Sequence, residues 1–171
     1  MTETILKIVD PRAQGAFVLS ADERHEIEHA MGHYPDPRAA SIEALKVVQK
    51  HRGWVADDAI GAVAAVLGIS AADLEGVATF YSLIFRHPVG RHVVKVCDSI
   101  SCHLTGYEEL RDALTQQLGI GYGETTRDGR FTLLPICCIG ACDRGPSLMI
   151  DDDLHGPVEP VNVAKLLEPY A

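Results

Sequence analysis

The sequence predicts a protein of class α/β plus α: a small helical bundle first, then a compact α/β domain. Three observations lead there. Apolar residues recur at helical spacing as far as Tyr81; the period shortens to that of a strand beyond Pro88-Val89-Gly90; and all five cysteines fall after that change. With 171 residues, 47% apolar and 23% charged, the chain is long enough for one ordinary domain or two small ones.

The helical half opens at Ser20-Ala21-Asp22-Glu23, a capping box in which the Ser side chain accepts from the Glu amide and Glu reaches back. That helix runs toward Met31, and Tyr34-Pro35-Asp36-Pro37 closes it. Asp36 as cap and Pro37 in the first turn start a second helix. Ile42, Leu45 and Val48, with Ala44 and Val47, form its apolar stripe, and Gly53 stops it. A third helix, Asp57 to Leu67, buries Ile60, Val63 and Leu67 and ends at Gly68. Ser70 and Asp73 open a fourth, whose apolar residues Leu74, Val77 and Phe80–Tyr81 are expected to pack in the bundle.

In the second half, His92 to Val96 is a β-branched strand ending at Cys97. Thr105-Gly106-Tyr107-Glu108 reads as another capping box, opening a helix with the stripe Tyr107, Leu110, Leu114 and Leu118. Asp128-Gly129 is a turn before the strand Phe131 to Leu134, which Pro135 ends or pushes to a sheet edge. Ser147 to Ile150 is a further short strand. Asp151-Asp152-Asp153 reads as a solvated turn, and Pro160 starts a closing helix through Leu166 and Leu167. The order is β-α-β-β-α.

Charge narrows the function. Fifteen Lys and Arg against 24 Asp and Glu give a net charge of −9, spread over both halves. That argues against nucleic acid or an anionic membrane as the main partner. The start of the chain lacks an export-type apolar core, and the uncharged run Ala59–Ala72 is too short to cross a membrane. A cytoplasmic protein is expected, with reduced thiols unless something binds them.

Cys97 and Cys102 form C-x4-C after the first strand; Cys138 and Cys142 form C-x3-C after the second. Two such pairs at strand ends supply four thiolates to a metal centre. Spacing alone leaves zinc and an iron–sulfur cluster open, with thiol–disulfide chemistry at Cys137-Cys138 a weaker rival because C-x-x-C is absent. Context favours the cluster. Gly106 and Gly140-Ala141 let backbone amides approach sulfur, a helix N-terminus lies at Thr105–Glu108, and Leu133, Leu134, Ile136 and Ile139 suggest a partly dry site. His103 reads as a polar neighbour, and Arg144 as either a counter-charge or a solvated residue. Gly119, Gly121 and Gly123 do not make a dinucleotide-binding fingerprint, and no P-loop or Ser/His/Asp grouping appears. No catalytic residue is expected on this chain; it should carry electrons for a partner.

The strings Val93-Val94-Lys95-Val96-Cys97-Asp98-Ser99-Ile100-Ser101-Cys102-His103 and Cys137-Cys138-Ile139-Gly140-Ala141-Cys142-Asp143-Arg144-Gly145-Pro146 resemble the [2Fe–2S] subunit of respiratory complex I, the E-subunit family of NADH-quinone oxidoreductase. The likeness extends to Ala78-Thr79-Phe80-Tyr81-Ser82, His51-Arg52-Gly53-Trp54 and Asp36-Pro37-Arg38-Ala39-Ala40-Ser41. Phe85 to His92 and Asp128 to Pro135 resemble its proteobacterial branch. It runs from about residue 18 to the end, giving an N-terminal extension over 1–17, a helical bundle domain over 18–88 and a domain over 89–171. The resemblance implies that this last domain is a thioredoxin-like [2Fe–2S] ferredoxin domain, with Cys97, Cys102, Cys138 and Cys142 as ligands of one cluster. Many relatives have an acid where this chain has Cys137, and the third ligand is assigned to Cys138. The resemblance also implies a partner subunit holding FMN and the NADH site, a neighbouring iron–sulfur subunit, and a place peripheral to the inner membrane without insertion into it. By formal count such a cluster carries about −2 oxidised and about −3 reduced, so acidic surroundings imply a low potential. Two alternatives stay open. One is the equivalent subunit of a soluble NAD-linked formate dehydrogenase or NAD-reducing hydrogenase; the other is a zinc-stabilised interaction module.

Overall fold

The computed structural model describes residues 17–170. The chain divides into two compact units that meet at His87 and Pro88.

The first unit is helical, and local chemistry sets its limits. Helix α1 (Ala21–Met31) begins at the Ser20–Glu23 capping box, both reciprocal bonds of which are formed. The Asp36 side chain accepts from the Arg38 amide as expected, but the turn it caps, Pro37–Ala40, is a 3-10 turn that feeds α2 (Ser41–Arg52). Helices α2 and α3 (Asp57–Leu67) stop at Gly53 and Gly68, whose φ of +83° and +69° lie in the left-handed region that favours glycine. Ser70 caps α4 (Ala71–Phe80). The core joins Ile27, Leu45, Val48, Ile60, Val63, Leu67 and Leu74. Phe80 and Tyr81 depart from expectation. They lie outside the core, 79% and 43% exposed, because α4 ends at Phe80 and its buried stripe is completed by Leu74 and Ala78. Among the described residues no single helix is long and apolar enough to cross a membrane.

One charge lies deep in this unit. Glu23 is 1% exposed and takes Arg52 Nε and Nη2 at 2.6 Å each and the Ser20 amide at 2.7 Å. The Arg52 hydrogen bonds, foremost, hold its carboxyl down to about 2 against the opposing pull of burial.

The second unit is a four-stranded mixed sheet in the order β2-β1-β3-β4, made of β1 (His92–Cys97), β2 (Phe131–Ile136), β3 (Leu148–Ile150) and β4 (Asp153–His155). Strands β1 and β2 are parallel, with Cys97 beside Ile136; β3 runs antiparallel to β1 and β4 antiparallel to β3. A parallel pair needs a long crossover. It is supplied by α5 (Ile100–Leu104) and α6 (Tyr107–Leu118), and α7 (Val163–Leu167) follows the sheet. Val94 and Val96 of β1 share a core with Leu110, Leu114, Leu133, Leu148 and Val163.

Four expectations change here. Of the two outcomes expected at Pro135, the edge position is the one found: β2 is an edge strand, so the missing N–H costs no central ladder bond, and what changes is only that the strand runs on through Pro135 to Ile136. Thr105 does not cap α6. Its hydroxyl donates back to the Ser101 carbonyl at 2.9 Å, closing the extra helix α5, and the cap of α6 is Gly106 at φ +111°. The acidic run is only partly a turn, since Asp153 opens β4. Asp151, at φ +53°, accepts from the Val93 amide at 2.9 Å and meets His92 Nδ1 at 2.6 Å, tying the turn to β1. Finally, a 3-10 turn, Pro160–Asn162, precedes the closing helix.

Candidate metal centre

Cys97 is the last residue of β1, and Cys102 lies on α5 just beyond. Cys102 is the third residue of α5, so the turn from strand into short helix brings the second thiol back beside the first. Both are buried, at 2% and 0% exposure. The Cys97 thiol is pushed up by burial, while the amides of Ser99 and Ile139 pull the other way by hydrogen-bonding to its sulfur; neighbouring Cys102 raises it further. Cys102 Sγ lies 3.5 Å from the hydroxyl of Ser147, itself 1% exposed.

The second pair follows β2. Because Cys97 is in register with Ile136, parallel pairing delivers the Cys137–Cys142 loop to the same end of the sheet. There the Gly140 amide donates to Cys138 Sγ at 3.3 Å. Cys142 starts a 3-10 turn, Cys142–Arg144. Cys137, Cys138 and Cys142 are all exposed. The expectation of a partly dry site therefore holds for one side only: Leu133 is buried, but the chain emerges to the surface beyond Ile136.

The remaining neighbours are also settled by geometry. His103 is exposed with its ring 4.3 Å from that of Tyr107, and Arg144 is an exposed residue paired with Asp143 at 3.5 Å. Gly145 is required by close approach, since a Cβ there would lie 2.6 Å from Thr105 Oγ1 and 3.5 Å from Cys102 Sγ. Sequence reasoning missed Ser147, the amides of Ser99 and Ile139, and helix α5. Nothing local marked α5 or Ser147.

Among the described residues, no three His, Cys, Asp or Glu side chains converge to hold a single metal ion. A structural zinc takes four ligands on one centre, whereas a [2Fe–2S] cluster distributes its four thiolates over two irons. Two thiol pairs, one packed together and one on an adjoining loop with amides aimed at sulfur, fit the binuclear group.

Comparison with known proteins agrees with this geometry. Residues 27–171 match the family model described as thioredoxin-like [2Fe–2S] ferredoxin. The E subunit of NADH-quinone oxidoreductase from Pseudomonas aeruginosa is 66% identical over 154 residues, covering 90% of this chain and 93% of that protein. Its namesake from Escherichia coli is 63% identical over 155 residues, covering 91% and 93%. Among solved structures, a chain of an NAD+-reducing [NiFe]-hydrogenase superposes with a TM-score of 0.62 at 21% identity, covering 74% of this chain and 22% of that one; this likeness concerns the fold alone. The chain belongs to the thioredoxin-like [2Fe–2S] ferredoxin family and, within it, to the E-subunit family of NADH-quinone oxidoreductase.

Proposed function

We propose that this chain is the electron-transfer subunit of the NADH dehydrogenase module of complex I, with Cys97, Cys102, Cys138 and Cys142 as the ligands of one [2Fe–2S] cluster. When bound, that cluster supplies one-electron exchange with FMN on a partner subunit, which also holds the NADH site. The observation that carries the reading is the buried Cys97–Cys102 pair at the end of β1, with the parallel β1–β2 pairing bringing the Cys137–Cys142 loop to the same end of the sheet.

The chain's own residues divide the work. Burial disfavours the thiolate of Cys97, so this side favours a cation that neutralises it. The Ser99, Ile139 and Gly140 amides offer partial positive charge to sulfur without a titratable group. Cys138 and Cys142 lie at the surface, where a partner can approach closely enough for electron exchange. The same reading takes residues 18–88 as a helical bundle domain and 89–171 as the cluster domain, which the two compact units support. It places the chain on the cytoplasmic side of the inner membrane, held peripherally by the flavin-bearing subunit and a neighbouring iron–sulfur subunit.

The test is reduction by NADH. The purified chain alone is expected to show no NADH oxidation and no reduction of its cluster by NADH; adding the flavin-bearing partner subunit should allow both. Robust NADH oxidation by the isolated chain would contradict the reading, as would a cluster that NADH cannot reduce in the assembled module.

A further inference from the structure

Beside the buried cysteines the second unit carries a groove that the cluster site leaves unused. Its volume is about 380 Å³, in the range of ligand-binding clefts. Pro146, Pro157, Val158 and Pro160 give it an apolar floor, and Glu109 and Glu159 bring two carboxylates; among the described residues no cationic side chain lines it. The floor is fixed, since Pro146 and Val158 are buried and the Val158 amide donates to the Pro146 carbonyl at 2.9 Å. Glu159 accepts from the Asn162 side-chain amide at 3.0 Å. Neither carboxylate is in an ion pair among the described residues.

The flanks of the groove are apolar. Leu104 and Val161, next in sequence to Thr105 and Pro160 of the lining, are 81% and 85% exposed. Ile100 is exposed four residues before Leu104 on α5, whereas Cys102 between them is buried. An apolar floor with unpaired carboxylates suits a basic side chain, whose stem lies on proline and valine while its charged head meets the glutamates. Exposed apolar residues around that point complement a protein surface rather than a free cation.

We propose that this groove receives a basic side chain of the flavin-bearing partner subunit, and that the same contact covers Leu104 and Val161. This rests on the electron-transfer role proposed above and names the chemistry that holds the partner. The location selects that partner. Gly145 and Thr105 belong to the lining and both adjoin Cys102: a Cβ on Gly145 would lie 3.5 Å from Cys102 Sγ, and the Thr105 hydroxyl donates to the Cys102 carbonyl at 3.2 Å. A chain seated here lies beside a proposed cluster ligand, as electron exchange with it requires.

The experiment is equilibrium binding of the full-length, cluster-loaded chain to the purified flavin-bearing subunit at low and high salt, with iron measured on each sample. Wild type is compared with Glu109→Gln, Glu109→Lys, Glu159→Lys and Glu108→Lys. Glu108 is the matched control: it is exposed, stands with Glu109 in the first turn of α6 and does not line the groove. Glu108→Lys therefore makes the same change in net charge and at the helix terminus as Glu109→Lys.

At low salt, binding is expected to weaken about a hundredfold in Glu109→Lys and Glu159→Lys, about three- to tenfold in Glu109→Gln, and about twofold at most in Glu108→Lys. Raising the salt should weaken wild type more than Glu109→Gln. Equal weakening in Glu108→Lys and Glu109→Lys would overturn the groove, because overall charge would then account for binding. Wild-type affinity in Glu109→Gln and Glu109→Lys would overturn it too. Should Glu109→Lys lose its iron, Glu109→Gln, which keeps the side-chain shape, decides by itself. A wild-type chain that holds its cluster but does not bind the flavin-bearing subunit would overturn the electron-transfer role, and the groove with it.

Discussion

The Glu23 region of the helical unit and the cysteine region of the α/β unit both bury groups that prefer water, and they resolve the problem differently. Glu23 is completed from within: Arg52 supplies the opposite charge and Ser20 an amide, and the result is a fixed helix–helix tie. Cys97 and Cys102 receive amides and a hydroxyl, but among the described residues no side-chain cation is hydrogen-bonded to either sulfur, and burial pushes the Cys97 thiol up. A buried anion that its own chain neutralises is architecture. Buried thiols that become anions only when a cation joins them are a site.

The largest expected effect bears on the cysteine side. Cys138→Ser should lose the cluster entirely, whereas Cys137→Ser should keep about two irons per chain. Iron analysis after anaerobic purification decides it, and the reverse pattern would move the third ligand by one residue. On the other side, Arg52→Ala strands the Glu23 carboxylate and should lower stability in urea unfolding by about 1–3 kcal/mol. Arg144→Ala, by contrast, should change stability by about 0.5 kcal/mol at most, because that pair is exposed.

Acid sharpens the contrast next. The Glu23 carboxyl is lowered from its ordinary value of 4.5 to about 2 in the folded chain. A lowered folded pKa means this contribution is fully present above about 4.5 and is lost as pH falls toward about 2. Unfolding midpoints measured across that window should fall less steeply in Arg52→Ala than in wild type; parallel curves would show that the pair does not carry the acid response. A last comparison sets the two thiol pairs side by side without metal. In the cluster-free chain Cys102→Ser places a hydroxyl at a fully buried position, partly compensated by Ser147, and should cost about 1 kcal/mol. Cys142→Ser, at the surface, should leave the unfolding midpoint unchanged.

How much of this was legible depended on whether the cause was local. Ser20–Glu23, Gly53, Gly68 and Ser70 act within one turn, so their helices could be bounded from the sequence. The strand bearing Cys97 stood out by its β-branched run, and both cysteine pairs by their spacing. Helix α5 was hidden because Thr105, which resembles an N-cap, serves as the closing residue of the helix before. Strand β4 was hidden by its brevity and by Asp153. Burial was the least readable property: Cys97 and Cys138 sit on either side of a boundary fixed by the β1–β2 register. Phe80 and Tyr81 look like core residues and are not, since α4 ends before a further turn could tuck them in.

Whether these four thiols hold a binuclear cluster is decided by iron and acid-labile sulfide on the anaerobically purified full-length chain, with an EPR spectrum after dithionite reduction. About two irons and two sulfides per chain, with a spin-half signal on reduction, is the predicted result. One zinc, no sulfide and no signal would contradict it, leaving the fold in place and removing the electron-transfer role.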